Sequence, residues 1–450
     1  MNWYLQSGKE SDVVTSTRIR FARNLPEFKF NLKNKNEIEK LKNKIKENVY
    51  AIGYGLKYLE LRDMNDITKM SQFHRSASAR MSRPAISIRN EGGWTFGSPS
   101  VLMMFHRTPG DLEKELVEMN DCMPHYYRIT NGHGQGAERI MNAEAEFLQG
   151  RFVDAQICLE NTYVHIAENG QENMVLCCDF LALRLALCTE LSLSYTIAER
   201  RKELLRRHNI TWVTLFDSVC AYYYALSGQI TQIPVLFREH QLSTVNFLAP
   251  GKPMMELIEN QVYLAQQEYA KVIGRSEGLL AVCEAMHYAL VALHVQIQTA
   301  AAYECLGKRT EARNCLKRAL QIALPDQFYL PFVENYEYLE ELLQREIQTA
   351  DAAEHVFLTK VTELGKNCQK RYGALRKTHM FPKIAAELTE QEQRIIELLA
   401  ERLSNREIAE KLFLSEGTIK QYINRIYAKL QISGDVRTKR RQLIELLTAE

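Results

Sequence analysis

Five positions in the middle of the chain carry one local pattern at an almost constant interval. Gly150 is followed two residues later by Phe152, five later by Ala155 and nine later by Leu159. The same offsets from Gly307 give Arg309, Ala312 and Leu316, and from Gly228 they give Ile230, Ile233 and Phe237. Gln267 repeats the spacing with Tyr269, Val272 and Ser276, and Thr189 with Leu191, Ser194 and Ala198. The anchors 150, 189, 228, 267 and 307 lie 39, 39, 39 and 40 residues apart. A period of this size marks stacked helical hairpins. Each anchor would sit in the turn between two antiparallel helices, and a small residue five positions on would let the second helix pack closely. One hairpin cannot bury its apolar face, but five in a row share a core and present a concave groove. The fold class expected is therefore mainly α, with a helical-hairpin solenoid over residues 136–375. An irregular helical bundle with accidental spacing is the alternative.

The rest of the chain divides around this repeat. Residues 1–70 hold 10 Lys to 4 Arg, whereas residues 71–450 hold 15 Lys to 28 Arg, a shift that suggests two sequence origins. Turn residues crowd 71–135, including Gly92-Gly93, Pro109-Gly110 and Asn131-Gly132, which reads as a connector. A last segment, 385–450, follows the Phe381-Pro382 break. The 450 residues are 46% hydrophobic and 25% charged, which excludes a disordered chain or a disulfide miniprotein. No run approaches the roughly 18 apolar residues of a membrane span, so no membrane is expected as a partner. Ten cysteines without a C-x-x-C pair read as reduced thiols, which fits a cytosolic compartment. With Lys+Arg 57 against Asp+Glu 55, any nucleic-acid signal must be local.

It is local to the C-terminal segment. Thr389-Glu390-Gln391-Glu392 and Ser404-Asn405-Arg406-Glu407 are both capping boxes, each opening a helix. Ser415 is a suitable N-cap for a third helix, in which Ile419, Ile423, Ile426 and Leu430 form one buried stripe. Gln421, Asn424 and Arg425 lie on the opposite face, flanked by Lys420 and Lys429. Amides pair bidentately with adenine, Arg with guanine, and flanking Lys with phosphates. A fourth helix is expected behind Arg437-Thr438-Lys439-Arg440-Arg441.

The run Leu403-Ser404-Asn405-Arg406-Glu407-Ile408-Ala409 with Leu414-Ser415-Glu416-Gly417-Thr418-Ile419-Lys420 resembles the LuxR-type helix-turn-helix. The likeness continues through Tyr427-x-Lys429-Leu430 and departs from the family pattern at Gln391 and Tyr422. It implies double-stranded DNA as partner, with Asn405, Ser415, Thr418, Lys420, Gln421, Asn424, Arg425 and Lys429 as the binding set. Ser227-Gly228-Gln229, Ala302-Tyr303-Glu304 with Gly307, and Ile432-Ser433-Gly434-Asp435 extend the likeness to MalT-type regulators over about residues 71–450. Such regulators sense a small inducer or a protein partner through helical repeats and act as dimers or higher oligomers on DNA in the bacterial cytoplasm. Tyr222, Tyr223 and Tyr224 form an aromatic cluster suited to that groove, with core packing as the expected role of at least one. No G-x-x-x-x-G-K-[ST] occurs, so no nucleotide cofactor is assigned.

The start of the chain has a different likeness. Ser16-Thr17-Arg18-Ile19-Arg20 resembles the opening of a bacterial protein arginine kinase, an ATP:guanido phosphotransferase, in which Arg18 and Arg20 would hold ATP phosphates. Phosphoryl transfer depends on positioning and charge stabilisation in one closed site, which seventy residues do not enclose. The segment therefore reads as a small α/β-like remnant without kinase activity, with an arginine kinase fragment as the alternative function. A repeat scaffold with a vestigial helix-turn-helix is a third reading. Lone His106, His125 and His133 suggest neither catalysis nor a metal.

Overall fold

The structure, a computed structural model, describes a few positions between 72 and 95, then residues 97–429 with breaks at 170–171, 192, 194, 248–249 and 401–402, and finally Ile432, Lys439, Gln442 and Leu443. The kinase-like segment with Arg18 and Arg20 lies outside the described residues. Among those described there are helices and turns and no strand.

The helices in chain order are α1 (Val101–Phe105), α2 (Leu112–Thr130), α3 (Ala137–Leu148), α4 (Phe152–Asn169), α5 (Glu172–Cys188), α6 (Ile197–Arg206), α7 (Ile210–Leu226) and α8 (Val235–Arg238). They continue with α9 (Lys252–Ala265), α10 (Tyr269–Met286), α11 (Ala289–Cys305), α12 (Arg309–Ala323), α13 (Leu330–Glu334), α14 (Tyr336–Ile347) and α15 (Ala352–Glu387). The C-terminal unit holds α16 (Glu390–Ala400), α17 (Asn405–Leu412) and α18 (Glu416–Lys429).

Every repeat anchor ends a helix. Gly150, Gly228, Gln267 and Gly307 adopt φ of 74°, 70°, 62° and 72°, the left-handed geometry that closes a helix and reverses the chain. Hairpins α3–α4, α9–α10 and α11–α12 follow, each packed arm against arm. Two units depart from the simple form. After Thr189 the next helix, α6, begins only at Ile197, where Thr196 caps it with a complete capping box, and α6 packs on α7. After Gly228 the second arm is broken into two 3₁₀ turns and the four-residue α8, because Pro234 and left-handed His240 interrupt any longer helix.

The row of first arms does not leave an open groove. Helices α3, α5, α7, α9 and α11 each pack on the next, and α13 touches both α11 and α3, which closes the row. Helix α15 covers α5 and α13. The expected groove is thus filled by the chain's own later helices. Tyr222 is fully buried and its hydroxyl donates to Glu334 at 2.9 Å, while Tyr223 is buried and meets half-buried Tyr224 edge-on. The aromatic cluster is core, not a groove lining.

At the centre sits a buried ion pair. Arg184 of α5 donates Nε and Nη2 to Glu334 of α13 at 2.6 and 3.1 Å, a forked pairing with both side chains almost fully enclosed. Its guanidinium also stands over the Phe147 and Phe180 rings at 4.8 and 5.0 Å. A second polar set ties α9, α11 and the α13–α14 junction: Gln298 donates to Gln261, and Gln261 to Asn335, both at 3.0 Å. On the outer side buried Asp179 accepts from Tyr163, Tyr195 and Arg200, which joins α4, α5 and α6.

The buried cluster runs from Val101 to Tyr372. The segment read as a connector therefore contributes α1 and α2 to the same core. Buried His106 hydrogen-bonds to Glu115 at 2.8 Å, and Asp326 accepts the Gly110 and Leu112 amides, so the start of α2 is tied to the end of α12. Helix α15 runs through Phe381-Pro382, where the sequence reads as a boundary. A Cβ at Gly365 would collide with the Tyr336 ring, so glycine alone allows α14 and α15 their close approach. All ten cysteines are free, and burial pushes the Cys122 and Cys283 thiols up to about 12. A second cluster, from Leu388 to Leu443, forms the core of the C-terminal unit.

Glu144 of α3 gives this core a pH signature. It is buried and accepts the Leu102 amide at 2.7 Å. Burial pushes its carboxyl up to about 7, although hydrogen bonds from Leu102 and Ser100 and the Arg184 charge act in the other direction. Between the ordinary value of 4.5 and about 7, the folded state keeps a proton that the unfolded state releases. Stability therefore falls as pH rises through that window, by about 3 kcal/mol from this group alone. Glu144→Gln should remove that slope, leaving the variant relatively more stable at pH 8 than at pH 4.5. Urea midpoints of both proteins across the window check this; parallel curves would show that Glu144 titrates normally.

Candidate nucleic-acid interface

The C-terminal unit is built by its caps. Glu392 Oε2 accepts the Thr389 amide and hydroxyl at 2.8 and 3.0 Å, which fixes the start of α16. Ser404 and Glu407 form a complete capping box on α17. That helix ends at Phe413, whose φ of 54° turns the chain, and the Leu414 amide returns to the Ala409 carbonyl at 2.9 Å. Ser415 then opens α18, its hydroxyl accepting the Thr418 amide at 3.0 Å and lying 2.7 Å from the Thr418 hydroxyl. Ile419, Ile423, Ile426 and Tyr427 of α18 are buried against Ile395, Ile396, Leu399 and Ile408. Leu430, expected to end the buried stripe, and Arg437, Thr438, Arg440 and Arg441 lie outside the described residues.

The opposite face of α18 is exposed and presents Lys420, Gln421, Asn424 and Arg425. These four positions, i, i+1, i+4 and i+5, share one side of a helix. Lys420 makes only a solvent-screened contact with Glu416 at 3.8 Å, and the Arg425 guanidinium lies 5.7 Å from the Tyr422 ring centroid. Both cations keep donors toward solvent. Two amides and two cations on one exposed helix face match the donor and acceptor edges of a major groove.

The remaining members of the expected set are placed differently. Ser415 and Thr418 are engaged in the cap of α18. Asn405 is half-buried in the first turn of α17, on a different helix from the other candidates. Lys429 is exposed, yet its ammonium lies 2.6 Å from Oε2 of buried Glu392, so it bolts the end of α18 to the start of α16. Burial opposes charge on Glu392, but Lys429 and Thr389 outweigh it and hold the carboxyl below its usual range. The pairing escaped the sequence reading because Lys429 looks like any basic flank, and only the return of α18 onto α16 brings it to Glu392. Phe413 was also missed: it is 95% exposed at the turn between α17 and α18.

With this geometry in view, the comparisons are decisive for one segment. The family model of bacterial regulatory proteins, luxR family, matches residues 386–440. Residues 386–440 are a luxR-family helix-turn-helix domain. The chain is also 49% identical over 43 residues to the DNA-binding transcriptional activator DevR/DosR of Mycobacterium tuberculosis (strain ATCC 25618 / H37Rv). That stretch is 10% of this chain and 20% of that protein, so the chain matches about a fifth of the length of this relative. No solved structure matches the chain.

Within the luxR-family domain, α18 is the second helix of the motif. Its exposed cations and its paired Lys429 should respond differently to truncation. Lys429→Ala leaves buried Glu392 without its partner and should cost the domain about 1–3 kcal/mol, because an uncompensated buried charge is expensive. Lys420→Ala should cost less than about 0.5 kcal/mol of stability, as exposed pairs contribute little. Chemical denaturation of the two variants, followed by a probe in 386–440, checks the order. Equal costs would show that Lys429 is an ordinary surface lysine.

Proposed function

We propose that the chain is a transcriptional regulator of the MalT-like class that reads its operator with α18. The observation that carries this is the exposed Lys420, Gln421, Asn424 and Arg425 face on the second helix of a luxR-family domain. Arg425 and the two amides read base edges, while Lys420 and backbone amides at the start of the helix position it on phosphates. It acts as a dimer or higher oligomer on double-stranded DNA in the bacterial cytoplasm. In support, no helix among the described residues is long and apolar enough to cross a membrane. Full-length protein should enrich a sequence-selective duplex from a random library. Arg425→Ala should weaken binding to that duplex about tenfold, within the range of one bidentate base contact. Log affinity should fall with log salt by about 0.9 per phosphate neutralised. Enrichment of no sequence, or unchanged binding by the variant, would show that α18 is not the reading helix.

The helical unit is proposed as the sensor for an inducer or a protein partner. Its interior supports the reading, since the side chains of Asn260 and His294 are wholly buried with no hydrogen-bond partner. Buried polar groups left unpaired cost free energy, and a small polar ligand that supplied the partners would favour one packing of the core. Burial and the nearby Arg184 keep His294 well below its ordinary value, hence neutral and able both to donate and to accept. Thermal-shift screening of the full chain against sugars and short peptides should give a stabilising compound whose effect shrinks in His294→Leu. Stabilisation of equal size in that variant places the sensor elsewhere.

A further inference from the structure

Several exposed cations on the described helices stand one turn from a carboxylate. Lys114 faces Asp111, Arg207 faces Glu203, Lys252 faces Glu256, and in α15 itself Lys360 faces Glu363 at 3.3 Å. Beyond Glu363, α15 has no further carboxylate before Glu387 with which to repeat the pattern. From Leu364 to Ala386 the sequence has no Asp or Glu, but it has Lys366, Lys370, Arg371, Arg376, Lys377 and Lys383. In a chain whose charges balance to +2, this is a concentrated basic tract.

Helical geometry organises it. Leu364, Cys368 and Tyr372 are buried, which sets the inward side of α15, and Lys366 and Lys370 are exposed on the other side. Position 377 is eleven residues beyond 366, three full turns, and so falls in the same row. The row is about 16 Å long, comparable with the span of several phosphates on a duplex. Helix α15 ends at Glu387 and α16 starts at Glu390, so the helix that carries the tract is joined to the first helix of the luxR-family domain by two residues.

We propose that the Lys366, Lys370 and Lys377 row is a second DNA-contact surface, which grips phosphates flanking the base pairs read by α18. The inference rests on the operator reading above and adds a partner surface that the luxR-family domain does not contain. It predicts a footprint wider than the motif alone requires, with no added sequence preference, because phosphate contacts carry affinity and not base information.

The probe is the duplex enriched by full-length protein, used in two lengths: trimmed to the shortest selective form, and extended on each side by about ten base pairs of unrelated sequence. Wild type should bind the extended duplex about tenfold tighter. The combined Lys366→Gln, Lys370→Gln, Lys377→Gln protein should lose that gain, and its salt slope on the extended duplex should drop by about 2–3, one contact per lysine. Its binding to the trimmed duplex should stay within about twofold of wild type, with an unchanged circular-dichroism spectrum. A variant that keeps the full gain and slope overturns the inference, as does a wild type that gains nothing from extension. Arg425→Ala serves as the separate control and should weaken both lengths equally. If it weakens neither, the operator reading fails, and this inference with it.

Discussion

The helical unit depends on one buried charge pair. Arg184 lies where five helices converge, and a guanidinium taken out of water must be matched in charge and in direction. Glu334 does both through two near-parallel hydrogen bonds, and the Phe147 and Phe180 rings offer their negative faces to the same cation. The consequence is topological. Glu334 belongs to α13, far along the chain from α5, so the pair is satisfied only when the row of hairpins has curled round and α13 has entered it. Removing one partner would leave the other buried and unpaired, at a cost of about 3–5 kcal/mol, which is a large part of a domain's stability. The same carboxylate accepts from Tyr222, so the closure is read by three helices at once.

Much of this was legible in the amino-acid order, and the failures have physical reasons. The anchors at 150, 228, 267 and 307 each fall at a left-handed turn, because a 39-residue period records a local requirement that recurs. Both capping boxes of the C-terminal unit are also local, and both form. What the order did not show is long-range. A repeat predicts an open stack because each unit is judged against its neighbours, and nothing in the repeat reveals that α13 and α15 return to fill the inner face. Which of Tyr222, Tyr223 and Tyr224 would face a groove and which the core was open for that reason, since aromatic residues suit both equally well, and Tyr222 and Tyr223 are core. The Phe381-Pro382 pair suggested a boundary because proline removes one backbone donor, but α15 extends across it to Glu387.

The luxR-family domain shows how few side chains a small motif leaves free. Of eight residues expected to face DNA, Ser415 and Thr418 close the cap of α18, Lys429 pairs with Glu392, and Asn405 is half-buried on α17. Lys420, Gln421, Asn424 and Arg425 remain on the open face. This division follows from size. With a dozen buried apolar residues among those described, the unit has little of the buried area that holds larger domains, and the caps and the Lys429–Glu392 pair add to it. A residue that fixes a helix end cannot also be spent on a base, so reading falls to the positions whose loss the fold tolerates.

Communication between the two cores has a physical requirement that α15 meets. Coupling needs an element shared by both sites whose position each can bias. The first half of α15 is held in the closed helical unit by Phe357, Leu358, Val361, Leu364, Cys368 and Tyr372, and by Arg371 donating to the Ala186 carbonyl of α5 at 2.9 Å. Its far end is two residues from α16. If the helical unit is the sensor proposed above, a ligand that prefers one packing of the α5–α13 contact would act on the helix that leads into the luxR-family domain. The size of the response is bounded by that ligand's difference in affinity for the two packings, however tightly it binds. Under the proposed sensor role, hydrogen bonds from a polar ligand to Asn260 or His294, whose buried side chains have no partner in this structure, would supply such a difference where a purely apolar core would not.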